Sequence, residues 1–119
     1  MKIWQKGIEI AKESYKFTKE FPIDEKFILV AQIRRSAISI PSNIAEGSQR
    51  ISDKEFSNFI LIARGSLMEL ETQTLLSIEL GYIDEKISDS FLSKIDELDK
   101  MLFAFYNKLR AQSSELKAL

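Results

Sequence analysis

Hydrophobic residues recur at helical spacing through most of this chain, and helices near 2–20, 24–48, 52–80 and 84–112 account for them. In the first, Trp4, Ile8, Ala11 and Tyr15 follow one another at steps of four, three and four with charged residues between, which predicts a single buried stripe. Phe21-Pro22 ends it, because a residue before proline is pushed out of the helical region. Asp24 is then placed to cap the second helix by accepting a backbone N–H.

The second helix carries Val30, Ile33, Ala37, Ile40 and Ile44 on its core stripe, with Phe27, Ala31, Ile38 and Ala45 on an adjacent strip. Two strips ask for two apolar neighbours. Across the helix, Gln32, Arg35, Ser36, Ser39, Asn43, Glu46 and Arg50 form a polar arc. Pro41 removes one backbone donor, so either the helix ends near Ser39 and restarts, or it continues with a kink. The arc keeps its phase across the proline, which favours a kink, and the Ser36 and Ser39 hydroxyls are placed to satisfy freed carbonyls.

Gly47 and Ser48-Gln49-Arg50 suit a helix end, and Ser52-Asp53-Lys54-Glu55 is a capping box for the third helix. That helix has a core stripe of Phe56, Phe59, Ile60, Ala63, Leu67, Leu70 and Ile78. It also has apolar residues on a second side, Leu61, Met68 and Leu75, and on a third, Ile62, Leu76 and Leu80. A helix apolar nearly all round exceeds what three sister helices can cover, which predicts an oligomer interface. Gly65-Ser66 in mid-helix costs about 1 kcal/mol of propensity relative to alanine, an expense that fits a second backbone approaching closely. Gly81 is a C-cap glycine, Asp84 an N-cap, and Ile87, Phe91, Ile95, Leu98, Leu102, Phe105 and Leu109 form the stripe of the fourth helix. From Gln112 to Leu119 the periodicity weakens and fraying is expected. The fold class is therefore all-α: one up-down-up-down antiparallel four-helix-bundle domain over residues 1–119, with its second helix kinked at Pro41.

Composition narrows the chemistry. The chain has no histidine and no cysteine, which removes disulfides, histidine general bases and the common zinc and di-iron ligand sets. No Walker loop or dinucleotide fingerprint is present, and Gly47, Gly65 and Gly81 have helix-end or packing explanations. We expect no cofactor and no metal. Carboxylates such as Glu46 and Glu69 are a conceivable acid–base pair, but nothing places a nucleophile or pocket beside them. The longest apolar run, Phe27 to Ala31, is too short to span a membrane, and no secretory signal is evident, so a cytoplasmic protein is expected. Residues 1–64 carry 11 Lys+Arg against 8 Asp+Glu, and residues 65–119 carry 6 against 10. A net charge of −1 is not the mark of an obligate nucleic-acid binder, though a local basic patch is compatible with it.

The run Gln32 to Gly47, with Ser-Ile-Pro-Ser-Asn-Ile-Ala-Glu-Gly inside it, followed by Ala63-Arg64-Gly65-Ser66-Leu67-Met68-Glu69-Leu70, resembles the ribosomal-RNA intervening-sequence proteins. Trp4-Gln5-Lys6 and Leu80-Gly81-Tyr82-Ile83 fit the same pattern, so the resemblance covers almost the whole chain. Members were named for reading frames inside insertions in bacterial 23S rRNA genes, and relatives include the accessory protein of diversity-generating retroelements. The resemblance implies a four-helix bundle assembled as a ring-like homopentamer, without catalytic activity. It implies RNA, or a nucleic-acid-processing protein such as a reverse transcriptase, as partner. Arg64 stands where family members often have a small nonpolar residue or glycine, so packing there is expected to differ.

Several polar residues have two readings. Arg34 lies toward the apolar side of the second helix, and Glu69 is its expected partner in a structural ion pair, with ligand binding as the alternative. Arg35, Arg50 and Lys54 lie on or beside the polar arc, where symmetric copies would concentrate charge against phosphates. The plainer reading is a solvated face with Glu46 paired to Arg50 four residues on. No aromatic residue interleaves this arc, which weighs against base stacking on it. Asn43 suits a register-fixing hydrogen bond within the bundle or between subunits. Trp4, Tyr15, Phe56, Phe59, Phe91 and Phe105 are expected in the core.

Overall fold

The computed structural model describes residues 1–118, with the side chains of 115–118 left undescribed. Four helices, α1 (Lys2–Thr18), α2 (Leu29–Ser48), α3 (Asp53–Glu79) and α4 (Glu85–Ala118), form an elongated antiparallel bundle of 57 × 24 × 20 Å. Consecutive helices pack on one another and α4 closes back on α1, which leaves α1 and α3 on opposite corners without contact. Ile10, Ile33, Ile40, Ile44, Ile60, Leu67, Leu70, Ile95, Leu98 and Leu102 fill the interior. At one end Phe17 meets Phe91 edge to face, with ring centroids 4.9 Å apart, and at the other Phe56 meets Phe105 at 5.1 Å.

The connections follow their local chemistry. Ser52 accepts from the Glu55 N–H at 3.1 Å and starts α3. Gly81, at φ 78°, stops it: the Gly81 and Tyr82 N–H groups return to the carbonyls of Ile78 and Ser77, the paired bonds of a Schellman ending. Asp84 caps α4 through the Lys86 N–H at 2.7 Å. α4 then stays helical to Ala118, past the expected frayed tail; Leu119 lies outside the described residues.

Three expectations need correcting. α2 begins at Leu29 rather than near residue 24, because Ile23–Glu25 forms a 3-10 turn; its N-cap is Ile28, not Asp24. The buried line of α1 is Ile3, Gly7, Ile10, Ser14 and Phe17, while Trp4 and Tyr15 are exposed. The line is rotated because it runs through Gly7, which meets Pro41 of α2, and through Ser14, and a stripe drawn through large apolar side chains passes beside these small residues. The second strip of α2, Phe27, Ala31, Ile38 and Ala45, is likewise exposed in the single chain.

Helix α2 continues through Pro41 without interruption. Pro41 is buried against α1, where Gly7 supplies the room: a Cβ on Gly7 would lie 3.3 Å from the Pro41 Cβ. Gly47 plays the same part toward α3, since a Cβ there would meet the Phe59 Cβ at 2.6 Å. Buried hydroxyls hold no partner outside their own helix in most cases. Ser14 donates to the Ile10 carbonyl, Thr74 to Leu70 and Ser77 to Gln73, so each occupies core space with its polarity already satisfied.

Candidate interaction surfaces

The outward side of α3 is defined by what its core stripe leaves over. With Ile60, Ala63, Leu67, Leu70, Thr74 and Ser77 buried, the opposite arc carries Leu61, Met68 and Leu75 on one edge and Ile62 and Leu76 on the other. All five are between 37% and 51% exposed. Gly65 runs down the middle of that arc, exposed, with nothing in the chain within 4 Å of the position its Cβ would take. The close approach inferred for Gly65 is therefore not made by any helix of the same chain. Ser66 does face inward and shares a 2.8 Å hydrogen bond with Ser39 of α2. Asn43 donates to the Ser39 carbonyl at 2.8 Å and to the Ser39 hydroxyl at 3.0 Å, so Asn43, Ser39 and Ser66 form a polar link between α2 and α3 beside Pro41.

The polar arc of α2 is largely self-satisfied. Arg50 pairs with Glu46 at 2.7 Å, as the four-residue spacing suggests, and its guanidinium lies 4.7 Å from the Phe59 ring centroid. Arg35 donates to Gln32 at 3.2 Å. Lys54 is exposed at the start of α3. Arg35 and Arg50 thus lie on the polar arc of α2, where Glu46 compensates part of their charge, and Lys54 stands on a separate helix.

Arg34 does not pair with Glu69. Its Nε donates to the Thr18 hydroxyl at 3.0 Å, its Nη2 to the Tyr15 carbonyl at 3.4 Å, and its guanidinium covers the Tyr15 ring at 4.4 Å. Those carbonyl and hydroxyl oxygens sit at the C-terminal end of α1, where a cation is favoured. Glu69 is exposed on the outer side of α3. Sequence reasoning overstates the burial of Arg34 because a long side chain reaches along the surface to its partners.

Three further polar contacts join separate elements. Arg64 makes a two-point pair with Asp99 of α4, at 2.8 and 3.3 Å, and lies over the Phe103 ring. Tyr82 donates to Glu25 at 2.9 Å, tying the α3–α4 turn to the 3-10 turn, and that bond holds the phenol above its usual pKa. Lys94 reaches Glu13 and Glu9 across the α1–α4 seam, and the hydrogen bond to Glu13 raises its pKa above the usual lysine value. Sequence spacing carries no signal for contacts between helices whose relative register is unknown.

Comparison with other proteins assigns the sequence to a family. Residues 1–104 match the 23S rRNA-intervening sequence proteins. The chain belongs to that family. A crystal structure of a protein of unknown function from the S23 ribosomal protein family of Bacteroides thetaiotaomicron VPI-5482 superposes with a TM-score of 0.79 and 30% identity. The superposition covers 87% of this chain and 97% of that one, so the bundle of the intervening-sequence family is shared nearly end to end. No curated protein matches the sequence. The family match stops at residue 104, whereas α4 runs on to Ala118. Among the described residues no helix is long and apolar enough to cross a membrane, and no group of three or more acidic residues is placed to hold a metal ion.

Proposed function

We propose that this protein is a non-enzymatic, homo-oligomeric scaffold associated with nucleic acid, and that copies join through the outer side of α3. The observation that carries this reading is the apolar arc Leu61, Ile62, Met68, Leu75 and Leu76, flanking the open Gly65 on a helix whose core stripe is already filled. Exposed apolar residues clustered in this way, with Glu69 and Thr72 the polar ones among them, mark an interaction site, and a glycine at the centre lets a second backbone come close. The arc has two apolar edges, one toward α2 and one toward α4, which suits a head-to-tail contact that closes into a ring; the family resemblance makes five the expected number. Association with nucleic acid is supported by the family name and by the exposed cations Arg35, Arg50 and Lys54.

Sedimentation velocity at micromolar concentration tests the assembly. A species near five times the 13.7 kDa chain mass is expected, and Leu61→Glu with Leu76→Glu should dissociate it while keeping helical circular dichroism. A well-folded 13.7 kDa particle from the unaltered chain overturns the reading.

A further inference from the structure

Helix α1 shows solvent a face with two properties that the α2 arc lacks, a row of lysines outside any ion pair among the described residues and accessible aromatic rings. Opposite its buried line, Lys12, Lys16 and Lys19 are exposed at steps of four and three residues, about 6 and about 4.5 Å along the axis. None of the three takes part in an ion pair among the described residues; Lys6, which does, is turned toward Glu97 of α4. On the side toward α2, Trp4 is 40% and Tyr15 39% exposed, with Ile8 half-buried between them. Arg34 adds its guanidinium at the Tyr15 ring. Beyond it, the α2 surface continues as Ala45, Ile38, Ala31 and Ser42 to Arg35, all exposed.

Round the helices from Lys16 to Arg35, no carboxylate interrupts this face until Glu46. The acids of α1 border its far edge: Glu9 and Glu13 share a hollow with Lys12 and Lys16 but are drawn to Lys94 of α4, and Glu20 shares the next hollow with Lys16 and with Lys86 of α4.

We infer that this face of α1 binds single-stranded RNA or DNA. Lysines meet phosphates as point charges and release counterions, while the Trp4 ring and the planar Arg34 guanidinium lying over Tyr15 offer π-faces on which unpaired bases stack without sequence preference. A duplex hides those base faces, so the aromatic margin favours a single strand. A lipid surface is a poorer fit: its apolar residues would have to stand at the crest of the helix, and here Gln5 and Lys12 occupy the crest with the rings to one side. Because α1 touches α2 and α4 but not α3, this face lies across the bundle from the proposed subunit contact and stays open in an assembly. The inference rests on the proposed nucleic-acid association and moves its surface away from the arc of Arg50 and Lys54.

Trp4 is the only tryptophan, so its emission reports on this face directly. Titration of the full chain with a single-stranded oligo(U) 20-mer, followed by anisotropy of a labelled strand and by Trp4 emission with an unlabelled one, is the test. Saturable quenching of Trp4 in step with binding is expected. The triple variant Lys12→Ala, Lys16→Ala, Lys19→Ala should weaken binding by roughly tenfold or more and lower the log–log salt slope by about 2, at about 0.7 for each phosphate no longer neutralised. Lys100→Ala, which removes a cation of α4 that pairs with Asp96 away from both surfaces, should leave affinity within about twofold. Binding that leaves Trp4 emission and the triple variant unchanged overturns this face while nucleic-acid association stands. Absence of binding at low salt removes both. Equal affinity for a duplex or for heparin, or preference for phosphatidylserine vesicles, overturns the single-strand assignment.

Discussion

Gly7 of α1 lies against the ring of Pro41 of α2, so the one proline inside a helix is met by the one residue of α1 with no side chain to displace. The contact is tight rather than impossible for a methyl group: a Cβ would sit 3.3 to 3.4 Å from the ring. Gly7→Ala should therefore change stability by less than about 1 kcal/mol, helix propensity and crowding nearly cancelling. Gly47→Ala meets Phe59 Cβ at 2.6 Å and Phe56 Cδ1 at 2.8 Å, and the first of these cannot swing away. It should cost about 1–3 kcal/mol in urea unfolding, as overpacking does. A neutral Gly47→Ala would mean that α2 and α3 separate freely at that end.

Arg64 and Asp99 form a two-point pair at partly buried positions on α3 and α4, 28% and 23% exposed. A double-mutant cycle with Arg64→Met and Asp99→Asn should give a coupling of about 1 kcal/mol, above a typical surface pair because the geometry is bidentate and backed by Phe103. Additive effects would show that the pair contributes nothing to holding the two helices.

Alkaline pH should loosen the bundle at two places. Lys94 and Tyr82 both have raised pKa values in the fold, so each favours its protonated form there more than in the unfolded chain. Their contributions are complete below the ordinary values of about 10.4 and about 10 and are lost as pH climbs through the raised ones. Unfolding monitored at neutral and at strongly alkaline pH should show stability falling only in the alkaline range. Lys94→Met should flatten part of that fall; an unchanged profile would exclude the α1–α4 seam as its source.

Gly65 offers a test of the α3 surface that does not add charge. With nothing within 4 Å, Gly65→Ala should raise the stability of the dilute chain by up to about 1 kcal/mol through helix propensity alone. In sedimentation at higher concentration the same substitution should weaken assembly, because the methyl group holds off the approaching copy. Gain in both measurements would move the subunit contact elsewhere on the molecule.

The core line of α2, the Ser52 cap, the Gly81 ending and the surplus apolar surface of α3 are all legible in the sequence, since they follow from spacing and from which residues tolerate which backbone. α1 misleads because contact there is made by Gly7 and Ser14, whose smallness is what permits close packing and what hides them from a search for large apolar side chains. Phe27 misleads for a different reason: its spacing matches α2, but the 3-10 turn before Leu29 takes it out of helical phase and leaves it 84% exposed. The pairs Arg34–Thr18 and Arg64–Asp99 depend on how neighbouring helices slide past one another, which a single-helix pattern does not encode. Among the surface residues, the Glu46–Arg50 pairing is readable from spacing, whereas the exposure of Trp4 emerges only in the assembled bundle.

The hydroxyls that bond back to their own helices have a consequence at the perimeter. Ser14, Thr74 and Ser77 stand in the last turns of α1 and α3, toward the end where Phe17 meets Phe91, and small side chains there set how far apart outward-facing rows of residues can be. Replacing one of them by leucine would swell that end and tilt its helices, shifting Lys16 of α1 relative to Arg34 of α2 on one flank or Leu75 of α3 relative to its neighbours on another. The girth of the interior is thus a ruler for whatever the exterior has to grip.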